Sequence, residues 1–119
     1  MKFLKALLVI AMVTAGVSII TAMPASAIAS DCVNHQCVFT SANYTGSHQS
    51  FTLSVGQCVN LAYPFVESVS SLWNGTGQTV FIADGYGCTG TWWQFNLHGG
   101  NPNLTGAANN SALSVKRTA

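Results

Sequence analysis

Charged side chains are what this sequence has least of. Only 6% of its 119 residues are ionisable in that sense, four Lys or Arg against three Asp or Glu. Lys2 and Lys5 sit at the start, so from residue 28 onward the charges are Asp31, Glu67, Asp84, Lys116 and Arg117. So few charges exclude a basic nucleic-acid footprint and a polybasic membrane patch. Catalytic motifs are missing as well: there is no G-x-S-x-G elbow and no H-E-x-x-H, and His35, His48 and His98 stand at unrelated places along the chain. They are expected to be surface imidazoles, and no enzyme is expected. No stretch after Ala27 sustains a 3.6-residue apolar period, and none is apolar enough to span a bilayer.

The hydrophobic share of 49% and the mean hydropathy of +0.35 owe much to the first residues. Lys2 and Lys5 precede an apolar run from Ala6 to Ile20, and the following segment ends in Ala25-Ser26-Ala27, an A-x-A cleavage pattern. A run of about 15 residues is short for the roughly 20 of a membrane span, so residues 1–27 are assigned as a secretory signal peptide. The remainder, residues 28–119, has a hydrophobic share of about 42%, ordinary for a soluble domain. The expected product is one secreted, extracellular domain with no membrane attachment after cleavage.

All four cysteines, Cys32, Cys37, Cys58 and Cys88, lie in that exported part. A small exported domain needs disulfides to supplement its core, and the spacing does not match a zinc ribbon. Three pairings are open. The favoured one is Cys32–Cys37 as a local clip with Cys58–Cys88, since any other would bring two long loops side by side. In the chain-entropy model the long bridge contributes about 4 kcal/mol and the short one about 2 kcal/mol.

A shift of 44 residues aligns Thr45-Gly46 with Thr89-Gly90, Phe51-x-Leu53 with Phe95-x-Leu97, Gly56 with Gly100 and Ser70 with Ser114. Val38 with Ile82 and Val69 with Leu113 keep the same shift, which marks two copies of a unit, about 37–75 and 81–117. Short β-branched or aromatic segments bounded by turn residues predict strands at 37–41, 50–54, 69–73, 79–83, 92–97 and 112–116. Tyr63-Pro64-Phe65 and the stretch Gly99 to Gly106 are expected to be connections. In 92–97 Phe95 and Leu97 are expected on one face, and Trp92 and Trp93 must lie on opposite faces. The fold expected is all-β, a disulfide-stapled sandwich of two four-strand units.

Phe39-x4-Tyr44-x-Gly46 resembles the aromatic corner of βγ-crystallin Greek keys, in which the glycine permits a folded hairpin and a ring packs across it. In the second unit the corresponding residues are Ala83, Cys88 and Gly90, so only the glycine is kept; a cysteine there suits a bridge to Cys58. The C-x4-C pair, the Asn43-Tyr44-x-Gly46 hairpin, Gly56-x-Cys58-x-Asn60-Leu61, Ser70-Ser71-x-x-Asn74 and Cys88-Thr89-Gly90 are together similar to the secreted actinobacterial peptidase inhibitors related to the streptomycete metalloproteinase inhibitor. That resemblance covers essentially all of residues 28–119 and implies a βγ-crystallin-like Greek-key fold.

The function it implies is a monomeric, secreted inhibitor that blocks an extracellular protease with a rigid loop in extended conformation. The loop Asn60, Leu61, Ala62, Tyr63, Pro64 and Phe65 is the candidate, being apolar, proline-stiffened and anchored by Cys58. The alternative is a non-inhibitory extracellular crystallin-like module, structural, weakly calcium-binding or antimicrobial. Crystallin units often bind calcium through an [ND]-[ND]-x-x-[ST]-S stretch, which here reads 66–71 and 110–115 and leaves Glu67, Ser70, Asn110 and Ser114 as donors. One carboxylate among them predicts weak calcium binding or none, and no cofactor is expected. Ser70 and Ser114 are expected to act as hydrogen bonders at strand starts.

Overall fold

Period-two apolar residues give each half of the chain a sheet with one buried face. The computed structural model describes residues 28–119; the signal peptide assigned to residues 1–27 lies outside the described residues. Eight strands follow in order: β1 (Gln36–Ser41), β2 (Thr45–Phe51), β3 (Cys58–Asn60), β4 (Ser71–Asn74), β5 (Val80–Ala83), β6 (Trp92–Gln94), β7 (Gly99–Asn101) and β8 (Ser114–Arg117). They form two four-stranded antiparallel sheets, ordered β2-β1-β4-β7 and β3-β8-β5-β6. Each unit therefore sends its third strand into the other unit's sheet. No helix among the described residues is long and apolar enough to cross a membrane.

The core lies between the sheets. Val38 and Leu72 face inward from the first sheet and Val80, Ile82 and Val115 from the second, all fully buried. Phe51, Leu53, Leu61, Phe95 and Leu104 belong to the same core. Burying each such side chain contributes about 1.5–3 kcal/mol. Trp93 packs against this core while Trp92 points away from it. The same inner face as Leu72 carries a polar exception: buried Gln36 donates through Nε2 to Asn74 Oδ1 at 3.1 Å and to Thr76 Oγ1 at 2.8 Å, and Asn74 Nδ2 donates to Gln78 O, so both buried amides have partners.

Several sequence expectations need correction. β3 was not expected, and β7 lies inside a stretch expected to be a connection, because neither has an alternating apolar pattern. β3 pairs with β8 and sets only Val59 on the core, and β7 pairs with β4. The second strand ends at Phe51, and the strand expected over 92–97 stops at Gln94; Leu97 is 46% exposed while Phe95 is buried.

The repeat also does not hold one shift. Ser71 Oγ donates to Ser41 O and accepts from Tyr44 N, while Ser114 Oγ donates to Gly85 O and accepts from Cys88 N. The partner of Ser114 is therefore Ser71, not Ser70, and the hairpin residues keep the shift of 44 while the serines do not. Likewise Glu67 N donates to Ala112 O as Asn110 N donates to Val69 O, so Val69 matches Ala112 rather than Leu113. Gly100 stands opposite Trp73 as Cys58 stands opposite Lys116, so Gly100 matches Cys58 rather than Gly56. Surface connections change length at little cost, whereas ladder hydrogen bonds hold the strands in register.

Candidate functional site

Two hairpins built alike are fastened differently. In the first, Gly46 at φ +80° leaves no room for a Cβ, which would strike Thr40 and Ser41. The Tyr44 ring packs edge-on to Phe39 at 5.7 Å and to Trp73 at 5.5 Å between centroids, and lies against Gly100, where a Cβ would collide with the phenol. Burial raises the Tyr44 pKa above the usual phenol value. In the second hairpin Gly90 takes φ +85°, and Cys88, at the place of Tyr44, is bonded to Cys58, at the place of Gly100. A covalent bond thus replaces a ring on a glycine. The other bridge is Cys32–Cys37, and there are no free cysteines.

The candidate loop leaves β3 beside that second bridge. Asn60 Oδ1 accepts from Gly87 N at 2.7 Å, and Leu61, buried, donates its N–H to Leu113 O at 2.8 Å. Beyond these anchors the chain does not run extended, as expected, but folds into a turn. Phe65 N and Val66 N both donate to Ala62 O, and Ser68 N donates to Phe65 O. Phe65 and Val66 pack onto the core, which pulls the backbone back, and Tyr63 is left at the tip, 91% exposed. Tyr86, in the hairpin that Asn60 and Cys58 tie to this loop, is 57% exposed.

The outer faces of the two sheets also differ. Over the first, Ile28 and Ala29 pack with Cys32, Cys37, Phe39, Tyr44 and Trp73. Asp31 closes that cover: its carboxylate meets His48 Nε2 at 2.9 Å, and its carbonyl accepts from Ser50 Oγ at 2.7 Å. Sequence reading did not find this pair, because 17 residues separate its members. Ser50 spends its hydroxyl proton on a backbone carbonyl, so the grouping has no nucleophile facing the imidazole. On the second sheet Phe81, Trp92 and Lys116 lie on the outer face.

Of the residues considered for calcium, Ser70 Oγ donates to Asn110 Oδ1 at 3.3 Å across the two units. With the corrected register the residue matching Ser70 in the second unit is Leu113, so Glu67 faces no equivalent hydroxyl. Ser114 opens β8, is buried and is spent on Gly85 and Cys88. Calcium takes six to eight oxygens, preferably with carboxylates, and one neutral pair on one side and a lone carboxylate on the other do not fit that requirement.

The model of peptidase inhibitor family I36 matches residues 25–95. The chain belongs to peptidase inhibitor family I36. In three dimensions it is similar to a βγ-crystallin domain from Clostridium beijerinckii, at 22% identity and TM-score 0.59 over 71% of this chain and 97% of that one. It is also similar to the βγ-crystallin of Ciona intestinalis, at 25% identity and TM-score 0.57 over 70% and 98% of the two chains. A βγ-crystallin domain from Flavobacterium johnsoniae matches at 24% identity and TM-score 0.56 over 71% and 93%. No curated protein matches significantly. The solved structures establish the βγ-crystallin fold, and family I36 points to a peptidase as partner and, with the two disulfides, to an extracellular setting. The I36 match takes in both bridges and the loop from Asn60 to Phe65, and stops before β7 and β8.

Proposed function

We propose that this I36 chain is a secreted, non-enzymatic inhibitor that works without a cofactor and presents the turn from Leu61 to Val66 to the cleft of an extracellular protease. The observation that carries the reading is Tyr63, 91% exposed at the tip of a turn whose base is fixed by Cys58–Cys88, Asn60–Gly87 and Leu61–Leu113. Large exposed aromatics are the residues that anchor interfaces, and a base held in this way limits the entropy lost on binding. The turn acts as a knob rather than as an extended strand. Among the described residues the charges near it are few, so shape and apolar contact hold the partner.

Titration of the purified protein against thermolysin-like and subtilisin-like proteases tests this. Inhibition is expected, and Tyr63→Ala weakens it by about 30-fold or more, the size of an interface hot spot. Absence of inhibition at micromolar protein, or a Tyr63→Ala variant as potent as the parent, overturns the reading for those proteases.

A further inference from the structure

The two outer faces provide an internal comparison that points to a second binding surface, separate from the Tyr63 turn. Matching positions along the two hairpins place Phe81 where the first sheet has Cys37, Trp92 where it has His48, and Lys116 where it has Trp73. On the first sheet that surface is occupied by the chain's own segment, two apolar residues, Ile28 and Ala29, followed by the carboxylate of Asp31 on His48. On the second sheet nothing in the described residues takes that place. Trp92 remains 39% exposed, its ring 5.3 Å from that of Phe81 between centroids and its indole N–H fixed on Cys88 O at 3.0 Å. The Lys116 ammonium stands over the Trp92 ring, 5.7 Å from its centroid. Among the described residues the one carboxylate contact to a basic side chain is Asp31–His48, so Lys116 has no carboxylate partner.

We propose that the outer face of the second sheet binds a short peptide segment of a partner protein, two apolar residues followed within two positions by an Asp or Glu. The apolar pair lies on Phe81 and Trp92, and the carboxylate meets Lys116, whose ammonium stands over Trp92, the residue at the place of His48. A cation already seated over an aromatic ring gives the acid a preformed place, and the Cys58–Cys88 bridge beneath keeps the surface rigid.

The probe is the blocked peptide Ile28-Ala29-Ser30-Asp31, titrated into the 15N-labelled protein. Saturable shifts are expected at the Trp92 indole N–H and at the amides of Phe81 and Lys116, with a dissociation constant of about 1 mM, as suits so small a contact. Lys116→Gln weakens binding about fivefold, a peptide with Asn for Asp does the same, and the two changes together add nothing further, the mark of a direct pair. Trp92→Phe keeps a ring in place should Trp92→Ala fail to fold. The proposal is overturned by an absence of saturation at about ten times that constant, by shifts confined to the first sheet, or by a response indifferent to Lys116→Gln. It is also overturned if the surface answers only to a neutral oligosaccharide such as chitotetraose, or if dilution alone produces the same shifts, which would assign it to a glycan or to a second copy of this chain.

Discussion

The two halves of this molecule solve one problem twice. Each must hold a folded-over hairpin against its sheet, and each uses a positive-φ glycine, Gly46 or Gly90, and a buried serine, Ser71 or Ser114, in the same way. They part at the clamp. The first half packs Tyr44 edge-on between Phe39 and Trp73 over Gly100; the second joins Cys88 to Cys58 at the matching positions. The lesson is that a covalent bond frees surface. A ring clamp needs aromatic neighbours and a covering segment, which the first sheet has in Ile28 to Cys32. The disulfide needs neither, and around the second sheet Tyr63, Tyr86 and Trp92 remain exposed.

Breaking the covalent clamp has the largest expected effect. Cys58→Ala with Cys88→Ala removes about 4 kcal/mol of stability, against about 2 kcal/mol for Cys32→Ala with Cys37→Ala; denaturant unfolding of both pairs checks the ranking. Equal losses would mean that the second half does not lean on its bridge. The ring clamp is probed by Gly100→Ala, whose new methyl is driven into Tyr44, held by Phe39 and Trp73. A loss of about 2 kcal/mol is expected in the same assay.

Alkaline pH distinguishes the clamps by chemistry. Burial raises the pKa of Tyr44 in the folded state, so its contribution is fully present below the ordinary phenol pKa and is lost as pH rises through the folded value. The melting temperature of the parent should fall across that range, and that of Tyr44→Phe should fall less. Asp31→Asn loosens only the cover of the first sheet. An exposed pair of this kind contributes about 0–1 kcal/mol, so the melting temperature scarcely moves while exchange of the residue 28–32 amides speeds up. The smallest response is to calcium: with the Ser70–Asn110 and Glu67 sides both incomplete, millimolar calcium should leave the melting temperature unchanged, and a rise of many degrees would contradict the donor count.

The all-β class, the bridge pairing and the Phe39-Tyr44-Gly46 corner were legible because each rests on local signals: alternation, a six-residue cysteine loop, a turn glycine. The inhibitor family was legible only as a resemblance carried by several short motifs together. The candidate turn was legible as a segment and illegible in shape. Proline and a nearby cysteine announce a stiff loop, but Phe65 and Val66 turn back only because a core is there to receive them. β7 escaped for the opposite reason. Gly99-Gly100-Asn101 has no side-chain pattern to read, and it is a strand because β4 offers a ladder and the Tyr44 ring admits only glycine.

From sequence alone came the cysteine pairing, the all-β sandwich and the scarcity of charge. The tertiary structure decided the exchange of third strands, the equivalence of a tyrosine on glycine with a disulfide, the cover on one sheet and the bare Trp92 and Lys116 on the other. The difference is one of range. Turn geometry, alternation and short loops are written in neighbouring residues, whereas Tyr44 meets Gly100, Asp31 meets His48 and Lys116 meets Trp92 only after two sheets have fixed their register.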